Sequence, residues 1–479
     1  MQFNQRHGSH AERVEVQPGQ QGAAIHPHGA GHTNTMLFSV GLILSLLMVA
    51  LAACGSSGNS STSGQVVHLT YALWDANQQA TYQKSIDEFE KLHPNITVTI
   101  EQNPWTAYWQ KLDTQIAGNS APDVFWDHVA YFPQLVQEGA LMNLSPMIQQ
   151  DHLDLSVYYP QLLKPYQYQG NTYGLPKDWD TITLFYNKAL IQKAGIDINH
   201  LSWNSTDGGT FLQALQKLTS DKSGLNPTHA GFNPQAVQQY GFVSLNSNQE
   251  IYLNYIAMNG GSFLNKSFGT QFTFNQPPAV QALQFLVDLN IKYHVSPPAS
   301  ETNNASNIAE QMFARGQAAI IETGSWNLNF IASQTNFPWG VAELPAGPQG
   351  RVSVFNGLAD AVYAKTQHPK EAWELFKWLS SPQSEQLVGS LGTVWPGVQS
   401  ADQGFVNYWQ AKGIDASPFL KEAQGTTVSY PITAGFGEAN TKINDIFNQM
   451  YLGQIPVQQA TDTAVQQGNA AIQSATSGG

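Results

Sequence analysis

At 479 residues the chain exceeds what one hydrophobic core ordinarily serves, so two lobes are the expectation. Its net charge of -13 argues against nucleic acid as a partner, because phosphate binding needs a basic surface. A single cysteine, Cys54, excludes an internal disulfide and a cysteine-built zinc site.

The first element is an uncharged apolar run over residues 37–53, LFSVGLILSLLMVALAA, ending in Ala52-Ala53 directly before Cys54. One reading is a transmembrane anchor, since the run approaches spanning length. The other is a secretory signal cut after its small residues, which leaves Cys54 as the mature N-terminus. The nearest basic residues are the distant Arg6 and Arg13, and Met36 is an alternative start. His26 and His28 look metal-like but fall in the removed segment. Residues 1–53 are thus read as removed and 54–65 as a flexible Gly/Ser tether.

From Val66 to Trp74 the chain is β-branched and aromatic with partial alternation, which predicts a strand. A helix follows from Asn77 to Leu92, stopped at His93-Pro94 because the residue before proline leaves the helical region. Ile96–Ile100 is a second strand, Trp105–Ala117 a second helix, and Ala121–Trp126 a third strand. This alternation predicts a largely parallel sheet with helices on both faces, and ligands bind beyond the carboxyl ends of such strands. Those ends carry Trp74-Asp75 and Trp126-Asp127-His128. Further on, Thr181–Tyr186 is a strand and Lys188–Ala194 a helix closed by Gly195. Helical patterns recur at 211–218, 249–258, 278–292 and 308–315. A strand at 318–322 leads into Gly324-Ser325-Trp326, two strand-like pieces flank Asn356-Gly357, and 369–379 is a helix holding Trp373 and Trp378. Both tryptophans are expected in the core.

Several blocks carry a resemblance. Leu51-Ala52-Ala53-Cys54 resembles the bacterial lipobox, in which the cysteine is acylated. Two or three chains on one residue make a stable anchor. Ala121–Trp126 with Gly139-Ala140-Leu141, Tyr173–Pro176 with Leu184–Lys188 and Ala194-Gly195-Ile196, Met312–Ile320 with Gly324-Ser325-Trp326, and Leu344–Pro348 with Asn356-Gly357 stand in the order of one family. From Val66 to about Ile472 the chain resembles the extracellular solute-binding proteins of ABC importers, family 1, the maltose-binding-protein-like group. The resemblance implies a two-lobed α/β fold of the type II periplasmic-binding-protein kind, each lobe a mainly parallel sheet flanked by helices. Hinge strands would cross near Lys177–Thr181, Phe355–Leu358 and Val394–Gly397. Lobe 1 would be 66–178 plus 356–394, and lobe 2 would be 179–355 plus 395–479. It also implies a monomer, lipid-anchored on the outer face of the membrane, that hands a carbohydrate to ABC permease subunits without cofactor or metal.

A sugar ring offers apolar faces to aromatic side chains and an equator of hydroxyls to carboxylates and amides. Trp74, Trp126, Trp179, Trp326 and Trp395 are therefore the candidate platforms, with Trp126 and Trp326 matching stacking positions of the family. Phe436 is the nearest match to a further aromatic. Among polar groups the candidates are Asp75, Asp127, Asp178, Asp180 and Asn356, and Lys177 is expected as a solvated hinge residue. Gln78 and Gln79 replace charged residues of the maltose-binding members, which argues against maltose itself. The alternatives are the same fold holding a non-sugar solute, a sensory role, or an exported glycosidase pairing Asp178 or Asp180 with another acid. No nucleophile elbow, HExxH, P-loop or dinucleotide fingerprint supports an enzyme.

Overall fold

The computed structural model of the protein describes residues 66–477, except 304 and 306. Cys54, the apolar run and the tether lie outside the described residues.

The chain opens with β1 (Val67–Leu73), α1 (Ala76–Leu92), β2 (Ile96–Gln102), α2 (Trp105–Ala117) and β3 (Val124–His128). Asp75 starts α1 by accepting from the backbone N–H of Asn77, and His93 ends it ahead of Pro94. Strand β1 lies between β2 and β3 and is parallel to both, with Val67 opposite Ile96 and Tyr71 opposite Val124. Each parallel return needs a crossover, and α1 and α2 are those crossovers.

The remaining strands of the main sheet are β4 (Gly174–Asn187), β5 (Ile320–Gly324), β6 (Trp339–Ala342), β7 (Val352–Val362), β8 (Trp395–Pro396) and β9 (Thr426–Ser429). β4 has 14 residues and so extends roughly 45 Å, enough to serve two lobes. Its first half pairs antiparallel with β7, Asp180 opposite Asn356, and with β8, Trp179 opposite Trp395. Its second half pairs antiparallel with β5 and β6, Leu184 facing Glu322 and Ala342. β7 continues onto β3, Ala359 opposite Asp127, so β4 and β7 join the two ends of one nine-stranded sheet. The register between β4 and β7 slips at Leu358 and Ala359, a bulge that bends the pair where the expected crossings lie.

Parallel pairing is confined to β1 with β2 and β3 and to β7 with β9. The strands around β4 are antiparallel because a strand that crosses between lobes meets others running the opposite way. Asn356-Gly357 is no break either: β7 runs straight through it. Gly357 is there for space, since a Cβ would sit 2.4 Å from the Leu162 methyl Cδ2.

Among the described residues three apolar clusters pack on the sheet, the largest of them holding Tyr108, Trp109, Phe132, Tyr255 and Phe447. Tyr71, Tyr82, Trp126 and Phe376 sit under α1, α3 (Pro369–Leu379) and α4 (Pro382–Ser390). Trp373 belongs there as expected, and Trp378 is half-buried with its Nε1 donating to the Ser85 carbonyl. On the other flank Trp179, Phe185, Trp395, Phe405 and Trp409 pack behind β4. Trp179 and Trp395 stack with centroids 4.8 Å apart, at 1% and 0% exposure. Trp395→Ala should open a cavity there and lower unfolding free energy by about 3–5 kcal/mol. Urea denaturation should show a lower midpoint at unchanged slope.

Candidate functional site

Pro104 fixes the turn into α2 and puts Trp105 and Trp109 four residues apart, on one helix face. Trp74, at the end of β1, packs against both, with ring centroids 5.1 and 5.7 Å away, and edge-on to Trp126 at 5.0 Å. Trp109 stacks on Tyr131 at 3.6 Å and 10°. The result is an aromatic strip from Trp74 to Tyr131 in which Trp105 keeps 38% of its surface exposed. It borders residues from far along the chain: Tyr131 lies 3.2 Å from where a Cβ of Gly437 would be, and His128 meets the ring of Tyr430 at 4.7 Å.

Polar groups close the gap at the crossing. The side-chain amide nitrogen of Asn356 lies 2.9 Å from His128 Nε2 and donates to Gln249 Oε1 at 3.3 Å. Asn248 donates to the Tyr430 hydroxyl at 2.7 Å and to Asn440 at 3.2 Å. Burial pushes His128 down to about 3, so its ring is neutral at physiological pH.

Trp326 is set by the hinge strand itself. Asp180 on β4 accepts from the backbone N–H of Ser325 at 3.1 Å and from its hydroxyl. The indole folds back over Gly324, where a Cβ would come within 1.7 Å of Cζ3. Trp326 and Trp74 are both half-buried, and each packs against two separate apolar clusters, one of them containing Tyr82 and Trp126.

Beneath the strip lies a buried charge cluster. Lys177, expected in solvent, is fully buried, because β4 turns its side chain inward over Trp126. Its ammonium pairs with Asp178 and sits 3.7 Å from the Trp126 ring centroid and 4.8 Å from that of Tyr82. Asp360 on β7 accepts from the Tyr71 hydroxyl at 2.7 Å, and that hydroxyl accepts from Trp126 Nε1 at 2.5 Å. Glu385 on α4 accepts from the Gly397 N–H at 2.7 Å. Burial raises all three carboxyls while Lys177 pulls them down, and Asp360 settles at about 7. Asp75 is also raised by burial, with its oxygens taken by Asn77 and Gln78.

Four of the expected residues are not brought to this place. Trp179 and Trp395 spend both faces in the core behind β4. Phe436, 2% exposed, is packed between Tyr430 and Phe272, and Tyr430 stands nearer the strip instead. Asp127 is fully buried, and its charge is felt by Tyr108 and Tyr166, because alternation along β3 sends it to the face opposite Trp126. Asp178 is paired with Lys177, and Asp180 accepts from Ser325. Missing from the expectation were Trp105, Trp109, Tyr131 and Tyr430. The i, i+4 spacing of Trp105 and Trp109 was a readable signal, whereas nothing local marks Tyr430.

The sequence profile of the bacterial extracellular solute-binding protein family matches residues 75–386. The chain belongs to that family. Among solved structures, UspC of M. tuberculosis is 34% identical, with TM-score 0.69 over 85% of this chain and all of that one. A Listeria monocytogenes ABC substrate-binding protein in complex with cycloalternan is 23% identical, with TM-score 0.74 over 85% of this chain and 99% of its own. The maltodextrin-binding protein MdxE of Bacillus subtilis is 27% identical over 71% of this chain and 74% of its own. The two-lobed type II fold follows from this likeness and from the long shared strands. Family membership places the protein outside the cytoplasm, and its relatives are binding proteins of transporters rather than enzymes. Among the described residues no helix is long and apolar enough to cross a membrane.

Asp360 at about 7 and Glu422, also raised by burial to about 7, hold protons that the unfolded chain releases above about 4. The stability they add is complete below that value and is lost as pH rises through about 7. His128 acts oppositely, removing stability as pH falls from about 6.5 towards 3. The melting temperature should therefore peak in mildly acidic buffer, and Asp360→Asn should flatten its decline between pH 5 and 8. Lys177→Ala should lower stability by about 3 kcal/mol at pH 8 and by less at pH 5, where Asp360 is neutral.

Proposed function

We propose that this protein captures a neutral carbohydrate between its lobes and delivers it to the permease of an ABC importer, tethered to the membrane through acylated Cys54. The observation that carries the reading is the aromatic strip from Trp74 through Trp105 and Trp109 to Tyr131, bordered by Tyr430 and the half-buried Trp326. Indole and phenol faces match the C–H faces of sugar rings, and Asn356, Gln249 and Asn248 supply neutral donors and acceptors for hydroxyls. Names of relatives favour the same class: maltodextrin-, galactooligosaccharide- and arabinooligosaccharide-binding proteins of Bacillus subtilis. On this reading the lobes are 66–178 with 356–394, and 179–355 with 395–479. Sugar contacts on both sides favour the closed form, a shift of population that a permease can sense.

Trp74 and Trp326 keep their place as ligand platforms in this proposal, and Asn356 as a hydroxyl partner; Trp126, 0% exposed under the Lys177 ammonium, backs the strip from the core. Asp75, Asp178 and Asp180 become positioning groups. Calorimetric titration against neutral mono- and oligosaccharides should give saturable binding, and binding of peptides or amino acids with no sugar would refute it. Trp326→Ala should weaken the bound sugar at least about tenfold, the loss of one stacked face plus its desolvation, with the empty protein still folded by circular dichroism. Gly324→Ala should do the same with the tryptophan retained, since the new methyl displaces the indole. Mass spectrometry of the mature N-terminus should find a diacylated or triacylated cysteine.

A further inference from the structure

Between the segment that follows Tyr131 and the one that precedes Gly437 is a cavity of about 330 Å³ that the reading above does not use. Gln137, Gln167, Gln169, Phe268, Thr270 and Thr433 line it, and no charged side chain does. Its volume lies at the lower end of the roughly 300–1,000 Å³ usual for small-molecule sites.

Two pieces of unusual backbone build its walls. One is a hairpin, Gln167–Tyr168 pairing with Asn171–Thr172, whose tip residues Gln169 and Gly170 both have positive φ, 48° and 81°. Such a tight two-residue turn suits Gly at its second position, but Gln169 takes a conformation that strongly favours Gly, Asn or Asp. The other is Phe268, also in the left-handed region at φ 55°, a rare state for a bulky residue. Its N–H donates to the Ile432 carbonyl at 2.6 Å, and the Thr433 hydroxyl donates to the Gly269 carbonyl at 2.6 Å. These bonds hold the loop in its strained shape and leave the phenyl ring 40% exposed in the cavity. A relaxed loop could have turned that ring inward. Two of its lining segments lead to the strip: Gln137 ends the short helix that follows Tyr131, and Thr433 stands four residues before Gly437, which lies against Tyr131.

We propose that this cavity is an additional carbohydrate subsite, so that the protein takes an oligosaccharide running from the strip outward past Phe268. The inference rests on the carbohydrate reading above and deepens it. An exposed phenyl face surrounded by three carboxamides and two hydroxyls suits a neutral polyol ring, with one apolar face and several hydroxyls. An anionic or cationic group would find no counter-charge there.

The test is calorimetric titration of malto-, galacto- and arabino-oligosaccharide ladders, from mono- to tetrasaccharide, against the protein and its Phe268→Ala, Phe268→Tyr and Gln169→Ala variants. In the ladder that binds, affinity should rise with length. Phe268→Ala and Gln169→Ala should each remove about five- to tenfold from the longest member and leave the shortest binding member unchanged, while Phe268→Tyr keeps the full gain. Melting curves without sugar establish that each variant is folded. An equal loss at every length, or no loss at any, overturns the subsite. Binding of short sugars with no gain on lengthening overturns it too but leaves the function standing. If no ladder binds at all, both readings fall together.

Discussion

The ammonium of Lys177 is the point on which the frame depends. All three stretches that pass between the lobes reach it or its partners: Asp178 and Lys177 itself on β4, Asp360 on β7, and Glu385, which caps the N–H of Gly397 just after β8. A lone buried cation is expensive, and a lone buried carboxylate no less so. Here one charge is shared among several acids and laid over the faces of Trp126 and Tyr82, so neither sign is left alone. The arrangement also fixes register. Sliding β4 by one residue would turn Lys177 away from its partners and drive the ring of Trp179 out of its stack.

From that fixed register the recognition surface follows. Three residues beyond Lys177, Asp180 holds Ser325 and so aims Trp326. One strand over, Asn356 lies opposite Asp180 and reaches His128 on one side and Gln249 on the other. The hinge strands thus carry, within a few residues, both the groups that set the frame and the groups that meet across the cleft. In the proposed reading this couples binding to closure without a separate relay, because the side chains that touch the ligand are seated on the strands that bend.

Much of the fold was legible from periodicity. β1, α1, β2, α2 and the helix closed by Gly195 fall where alternation, Pro94 and the glycine put them, since those signals are local. The direction of β4 and its neighbours was not, because strand polarity is set by long-range pairing that leaves no trace in a short window. The site was legible in part. Trp74, Trp126 and Trp326 stand at strand ends and a turn, and they lie where the aromatics gather. Trp179 and Trp395 have the same composition and a similar position, yet pairing across β4 and β8 stacks them on each other. A single sequence does not distinguish a tryptophan whose partner is sugar from one whose partner is another tryptophan. Lys177 failed for a related reason: lysine is solvated nearly everywhere, and besides the neighbouring Asp178 its burial depends on Asp360 and Glu385, over 180 residues away.

The fate of the acids bears on specificity. Of the four carboxyls that the sequence offered for sugar hydroxyls, three have protein partners: Asp75 has Asn77 and Gln78, Asp178 has Lys177, and Asp180 has Ser325, while Asp127 is buried on the far face of β3. Burial raises them all above the ordinary carboxylate value, and Lys177 counters the charge of Asp178. What then borders the aromatic strip is Asn248, Gln249, Asn356 and a neutral His128. An acidic cleft would collect cations and pay for every neutral ligand with unshielded charge. A cleft whose acids are committed to the frame presents amides and rings instead. That agrees with a chain only 11% charged, in which glutamine and asparagine take over the polar surface. In the proposed reading, discrimination among neutral sugars rests on shape and on the spacing of hydrogen-bonding groups, and not on net charge.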